Sequence, residues 1–175
     1  PTERIKNMNE IVNKIDNANN SEEILQDTAL NINKQELTAF IEGNVYGKRP
    51  TRYLLLRLNY LYSDIDTVLS LPETISIEHI LPQNPKADSQ WKADFDDEVR
   101  ELWINKLGNL IILSRRKNSS QSNLDYEKKK QKYFKGNVNL GRSAFIMSKS
   151  TWQLDDLQEN HKDAVAKLKE SFDIK

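Results

Sequence analysis

The fold of this chain turns on one segment, Ile77-Glu78-His79-Ile80-Leu81-Pro82-Gln83. It sets one of only two histidines beside a carboxylate. Just before it, Thr74-Ile75-Ser76-Ile77 alternates polar and apolar residues, as a half-buried strand does. Just after it, Pro82 and Pro85 force an extended turn. Neighbouring residues on a regular strand point to opposite faces, so Glu78 and His79 can share one site only where the strand ends or distorts. Pro82, three residues on, supplies a reason for that ending. A second stretch reads as its partner: Leu107-Gly108-Asn109-Leu110-Ile111-Ile112-Leu113-Ser114. Gly108 closes a helix predicted over residues 96–106, and 110–113 is a short apolar strand.

Outward from these two strands the pattern is helical. Ile5, Met8, Val12 and Ile15 are spaced for one helix face, and Ser21 with Glu22 and Glu23 opens another helix. Asn33-Lys34-Gln35-Glu36 resembles a capping box for a helix closed by Gly43. Residues 53–62 are apolar nearly all round and predict a central helix, and a short strand is expected at Val68–Leu69. In the first helix after the turn, Val99, Leu102 and Trp103 share a face. A Lys-rich helix spans 123–134, residues 144–147 fit no single period, and an amphipathic helix covers about 154–172. The fold class is therefore α+β and mostly helical. Residues 1–70 form a helical N-terminal layer, and 71–175 a catalytic-looking unit with a C-terminal helix. The chain opens at Pro1 without an initiator Met, so a fragment of a longer protein is expected.

Composition narrows the function classes. At 175 residues with 37% hydrophobic and 30% charged side chains, one polar globular core is feasible. Lys and Arg balance Asp and Glu at 26 each, which argues against a uniformly basic nucleic-acid coat but leaves room for a local basic patch. With no cysteine, disulfides and Cys-x-x-Cys zinc knuckles are excluded, and a cytoplasmic location fits. No apolar run approaches the roughly 20 residues of a membrane span, so no membrane partner is expected.

The residue types at the centre suit phosphodiester hydrolysis. That reaction needs a base to activate water and a cation to neutralise charge growing on the phosphate. His79 has the right intrinsic basicity. Glu78 with one later ligand would hold a hard divalent cation such as Mg²⁺, with Mn²⁺ as a substitute, and Mg²⁺ takes few protein ligands because it keeps several waters.

Glu78-His79-Ile80-x-Pro82, then Asn109 in Leu107-Gly108-Asn109-Leu110, then Asn118, resembles the order of an HNH (ββα-metal) nuclease. More specifically, residues 37 to 172 resemble the C-terminal domain of GmrSD-type modification-dependent restriction enzymes. That resemblance runs through Tyr53-Leu54-Leu55-Leu56-Arg57-Leu58, Ile77–Gln83, Trp91, Leu107–Leu113, Asn118-Ser119, Ser122-Asn123, Lys129 and Trp152. It implies an embedded ββα-metal unit with His79 as general base and Glu78 as metal ligand. It also implies that Asn109 braces the loop and orients His79, and that Asn118 binds or adjoins the metal. It further implies DNA as substrate, a role in restriction of foreign or modified DNA, and a missing N-terminal ParB-like nucleotide-hydrolysing domain. Asn118 stands where many HNH proteins carry histidine, and Asn160 where the family often has arginine.

Each residue also has a plainer reading. His79 could be a satisfied half-buried histidine, Glu78 a solvent-facing acid, Asn109 a turn residue and Asn118 a helix cap. Arg115, Arg116, Lys117, Lys128, Lys129 and Lys132 belong to a basic run that is either a solvated face or a track for DNA phosphates. Trp91, Trp103 and Trp152 read as core anchors, and His161 as an exposed or boundary residue of the last helix. The competing function is a non-catalytic HNH-like module that binds nucleic acid or a protein.

Overall fold

The computed structural model describes residues 2–31, 33–63, 74–115, 123–135 and 141–174. The chain divides into two compact units, residues 1–37 and 38–175. The expected strand at Val68–Leu69 lies outside the described residues.

In the first unit, α1 (Thr2–Asn17) and α2 (Ser21–Gln26) are followed by a 3-10 turn at Thr28–Leu30. The cap of α2 is Asn20, not Ser21: its side chain accepts the Glu23 backbone N–H at 3.0 Å. An Asn one residue earlier does the same job as the expected serine, because either can satisfy an orphan N–H of the first turn. Lys14 on α1 pairs with Asp27 at 3.1 Å. The stripe of Ile5, Met8, Val12 and Ile15 lies on the surface.

The unit boundary falls within α3 (Lys34–Glu42), whose first turn is capped by Asn33 accepting the Glu36 N–H at 3.1 Å. The larger unit continues with α4 (Thr51–Leu61), β1 (Ile75–His79), α5 (Gln90–Asp94), α6 (Asp97–Trp103) and β2 (Leu110–Ser114). It closes with α7 (Tyr126–Phe134), α8 (Gly141–Ser148) and α9 (Leu154–Ser171). The ambiguous 144–147 stretch is thus helical. The fold is α+β and mostly helical, with one two-stranded antiparallel sheet among the described residues.

α4 is less uniformly buried than its composition suggests. Leu54, Leu55 and Leu58 are fully inside, whereas Tyr53 and Tyr60 are exposed, so one face meets α8, α9 and β2. α6 departs similarly: Val99 and Trp103 pack on the core but Leu102 is exposed. Trp91 and Trp152 are core anchors, with Trp152 stacked on Tyr126.

β1 and β2 pair with Ile75 opposite Ser114, Ile77 opposite Ile112 and His79 opposite Leu110. β2 is apolar without alternation because both its faces are covered; Leu110 to Leu113 are all buried. Its carbonyls not used by the sheet are satisfied from α8. Arg142 donates to Leu110 O at 2.5 Å and to Leu107 O at 2.8 Å, and Ser143 donates to Ile112 O at 2.9 Å. These side chains occupy an edge that would otherwise offer free acceptors.

α9 seats against the 3-10 turn Leu107–Asn109. A side chain at Gly108 would place its Cβ 2.6 Å from His161 Cβ and 2.8 Å from Leu157 O, so only glycine allows this approach. Asn160 donates to Gly108 O at 2.6 Å, and Gly108 N–H donates to His161 Nδ1 at 3.3 Å. His161 is therefore buried, contrary to its expected surface position, because the helix comes in close enough to engulf it. Burial, with Lys106 nearby, pushes its pKa down to about 4. Asn160 likewise is a buried structural contact.

Candidate active site

β1 ends at His79, as a shared site for the adjacent Glu78 and His79 requires. Both residues are buried, and both line a cavity of about 130 Å³ shared with Pro82, Gln83, Asn84 and Asn123. Because the strand stops there, two consecutive side chains open on one space.

The loop after β1 is fixed by Asn109. Its Oδ1 accepts the Leu81 N–H at 2.8 Å, and its Nδ2 donates to Leu81 O and to Ile104 O, both at 2.9 Å. Its own carbonyl accepts the Ile80 N–H at 3.0 Å. A fully buried amide with each group paired is a rigid staple. The ring of His79, whose orientation the resemblance assigns to Asn109, has its hydrogen-bond partner on a neighbour: Asn105 Oδ1 lies 3.3 Å from His79 Nε2. Tyr46 packs edge-on against the same ring, with centroids 4.2 Å apart.

Glu78 meets a cation expected on the basic surface run. Lys129 Nζ lies 2.6 Å from Glu78 Oε1 and donates to His79 O, also at 2.6 Å. Lys129 is wholly buried, so it serves the end of β1 rather than a solvent-facing basic stripe. A signal for this exists in the sequence. Tyr126, Lys129 and Tyr133 fall at i, i+3 and i+7, and the two tyrosines are core residues. A lysine at the centre of a buried stripe needs a buried acid. Tyr46 and Asn105 carry no comparable signal.

Burial dominates the electrostatics. It pushes the Glu78 carboxyl up, against the pull of Lys129, and pushes the Lys129 ammonium down, against Glu78. It also pushes His79 down to about 4, with Asn105 opposing and Lys129 adding to the effect. At neutral pH the His79 imidazole is uncharged and can accept a proton.

Of the other sequence candidates, Arg115 follows β2 on the surface, its N–H donating to Thr74 O at 3.1 Å. Lys128 and Lys132 are exposed on α7. Arg116, Lys117 and Asn118 lie outside the described residues. As to metal binding, the cavity offers one carboxylate, one imidazole and the amide oxygens of Gln83, Asn84 and Asn123. No group of three or more His, Cys, Asp or Glu forms among the described residues. Such a donor set, sparse and mostly oxygen, could hold a hydrated hard cation such as Mg²⁺.

The family model for the C-terminal domain of GmrSD restriction endonucleases matches residues 31–167, and this chain belongs to that family. The match spans the sheet, the cavity and the helices around them. No curated protein matches the chain. Among the described residues, no helix is long and apolar enough to cross a membrane.

Proposed function

We propose that this domain is an HNH-type endonuclease that hydrolyses DNA phosphodiester bonds with a divalent metal, Mg²⁺ or Mn²⁺, in restriction of foreign or modified DNA. The observation that carries the reading is the convergence of Glu78 and His79 on one cavity at the end of β1, under a loop stapled by Asn109. Membership of a restriction-endonuclease family supports it.

In this reading the uncharged His79 takes the proton from the attacking water. Glu78 and Asn118 would be the protein ligands that hold the metal. A bound cation supplies neutralisation of the charge that develops on the phosphate. Asn109 and Lys129 keep the strand end from shifting, which matters because small misplacements of reacting groups are costly. The DNA backbone lies along Arg115, Arg116, Lys117, Lys128 and Lys132. The reaction groups come from residues 71–175, and an N-terminal ParB-like nucleotide-hydrolysing domain controls cleavage in the cytoplasm.

One observation favours a second reading. The Lys129 ammonium already neutralises Glu78 from inside the protein. A non-catalytic module that binds nucleic acid or a protein on the same scaffold would be built the same way. Supercoiled plasmid incubated with the protein in Mg²⁺ or Mn²⁺, and again with EDTA, separates the two. The nuclease reading expects nicked or linear product that chelation abolishes. Salt-dependent DNA binding unaffected by EDTA, with no product under any condition, supports the module.

A further inference from the structure

We propose that Asn105 is a positioning residue for His79, holding the ring proton on Nε2 so that Nδ1 is the nitrogen that accepts the proton from water. This rests on the reading of His79 as general base. A neutral imidazole carries one N–H donor and one acceptor nitrogen. The atom facing Nε2 at 3.3 Å is an amide oxygen, which can only accept, so Nε2 carries the hydrogen. Nδ1 has no hydrogen-bond partner among the described residues.

Asn105 is itself held from a third segment. Its carbonyl accepts the Val45 N–H at 2.9 Å and the Tyr46 N–H at 3.1 Å, and the neighbouring Asn44 and Lys106 form a β-bridge. The same loop brings Tyr46 edge-on against the imidazole, limiting rotation of the ring. The work that the sequence resemblance assigned to one asparagine is thus divided. Asn109 fixes the main chain after β1, and Asn105 fixes the ring. The Asn105 contact uses its side chain, while its structural anchoring uses its backbone, so the two can be separated by substitution.

Nitrogen-15 NMR of the imidazoles at pH 8 tests this directly. The chain has only two histidines, so a His79→Ala spectrum assigns the signals by difference. The wild type is expected to show the His79 proton on Nε2. Asn105→Ala should give a mixture of tautomers, and Asn105→Asp, which keeps an oxygen acceptor, should keep the proton on Nε2. On plasmid, Asn105→Ala should lower kcat about 10²-fold, the scale for a misplaced reacting group, with KM for DNA unchanged. A wild-type proton on Nδ1, or an Asn105→Ala protein with wild-type tautomer and kcat, overturns the proposal. Cleavage by His79→Ala at the wild-type rate removes the general-base reading instead, while the tautomer result still decides whether Asn105 sets the ring.

Discussion

Lys129 Nζ and Glu78 Oε1 lie 2.6 Å apart, with the lysine fully buried and the glutamate nearly so. The same nitrogen also holds the His79 carbonyl at 2.6 Å, so one cation fixes both residues at the end of β1. Removing one partner of a buried pair leaves an uncompensated charge, which is far more damaging than removing both. Lys129→Met is therefore expected to destabilise the fold by about 3–5 kcal/mol. The double variant Lys129→Met/Glu78→Gln should recover most of that loss. Urea titration of both single variants and the double variant gives the coupling. Additive effects would mean that the two side chains do not depend on each other.

The buried histidines set a pH dependence of stability. His79 and His161 both have folded pKa values lowered to about 4, chiefly by burial, from an ordinary value of 6.5. As pH falls through 6.5 the unfolded chain takes up protons that the folded chain refuses. Their contribution is thus complete above 6.5 and is lost toward 4. Each histidine gives a slope of about 1.4 kcal/mol per pH unit in that window. Denaturation curves between pH 6 and 5, where ordinary carboxylates stay ionised, should show stability falling with pH. His161→Gln should lessen the slope. The raised Glu78 carboxyl takes up a proton in the folded chain and opposes this slope, so the test is the difference between wild type and His161→Gln; identical slopes would show that His161 protonates freely in the folded state.

Lys128 and Lys132 are exposed on α7, the helix whose inner face delivers Lys129 to Glu78. Replacing either with Gln should weaken DNA binding similarly for all sequences. It should also reduce the slope of log affinity against log salt by about 1 for each phosphate that is no longer neutralised. Binding isotherms at several salt concentrations read this, with kcat at saturating DNA expected to stay unchanged. An unaltered salt slope would remove α7 from the DNA track.

The contrast between Lys129 and its neighbours shows what the sequence made legible. Strand β1 was readable from the alternation at 74–77, although Ile75, Ser76 and Ile77 are all half-buried rather than alternately covered, and β2 from its unbroken apolar run, which follows from the cover on both its faces. The pairing of Glu78-His79 with Asn109 was readable as motif order. Lys129 left only a faint trace, its spacing from Tyr126 and Tyr133, because a run of three lysines looks like a solvated face until those tyrosines are known to be core. His161 was misplaced for a related reason. Its burial depends on the absence of a side chain at Gly108, 53 residues away, and no local period records that. Asn105 and Tyr46 reach His79 only through the tertiary fold, from segments whose own residues are ordinary loop types.

As the base of a metal-dependent nuclease, His79 is put to the test by His79→Ala on supercoiled plasmid in Mg²⁺ or Mn²⁺. A general base contributes about 10²–10⁴-fold, so cleavage should fall by at least that lower factor. DNA binding and the denaturation midpoint should stay near those of the wild type. Plasmid nicked by purified, folded His79→Ala at the wild-type rate would show that His79 is not the base.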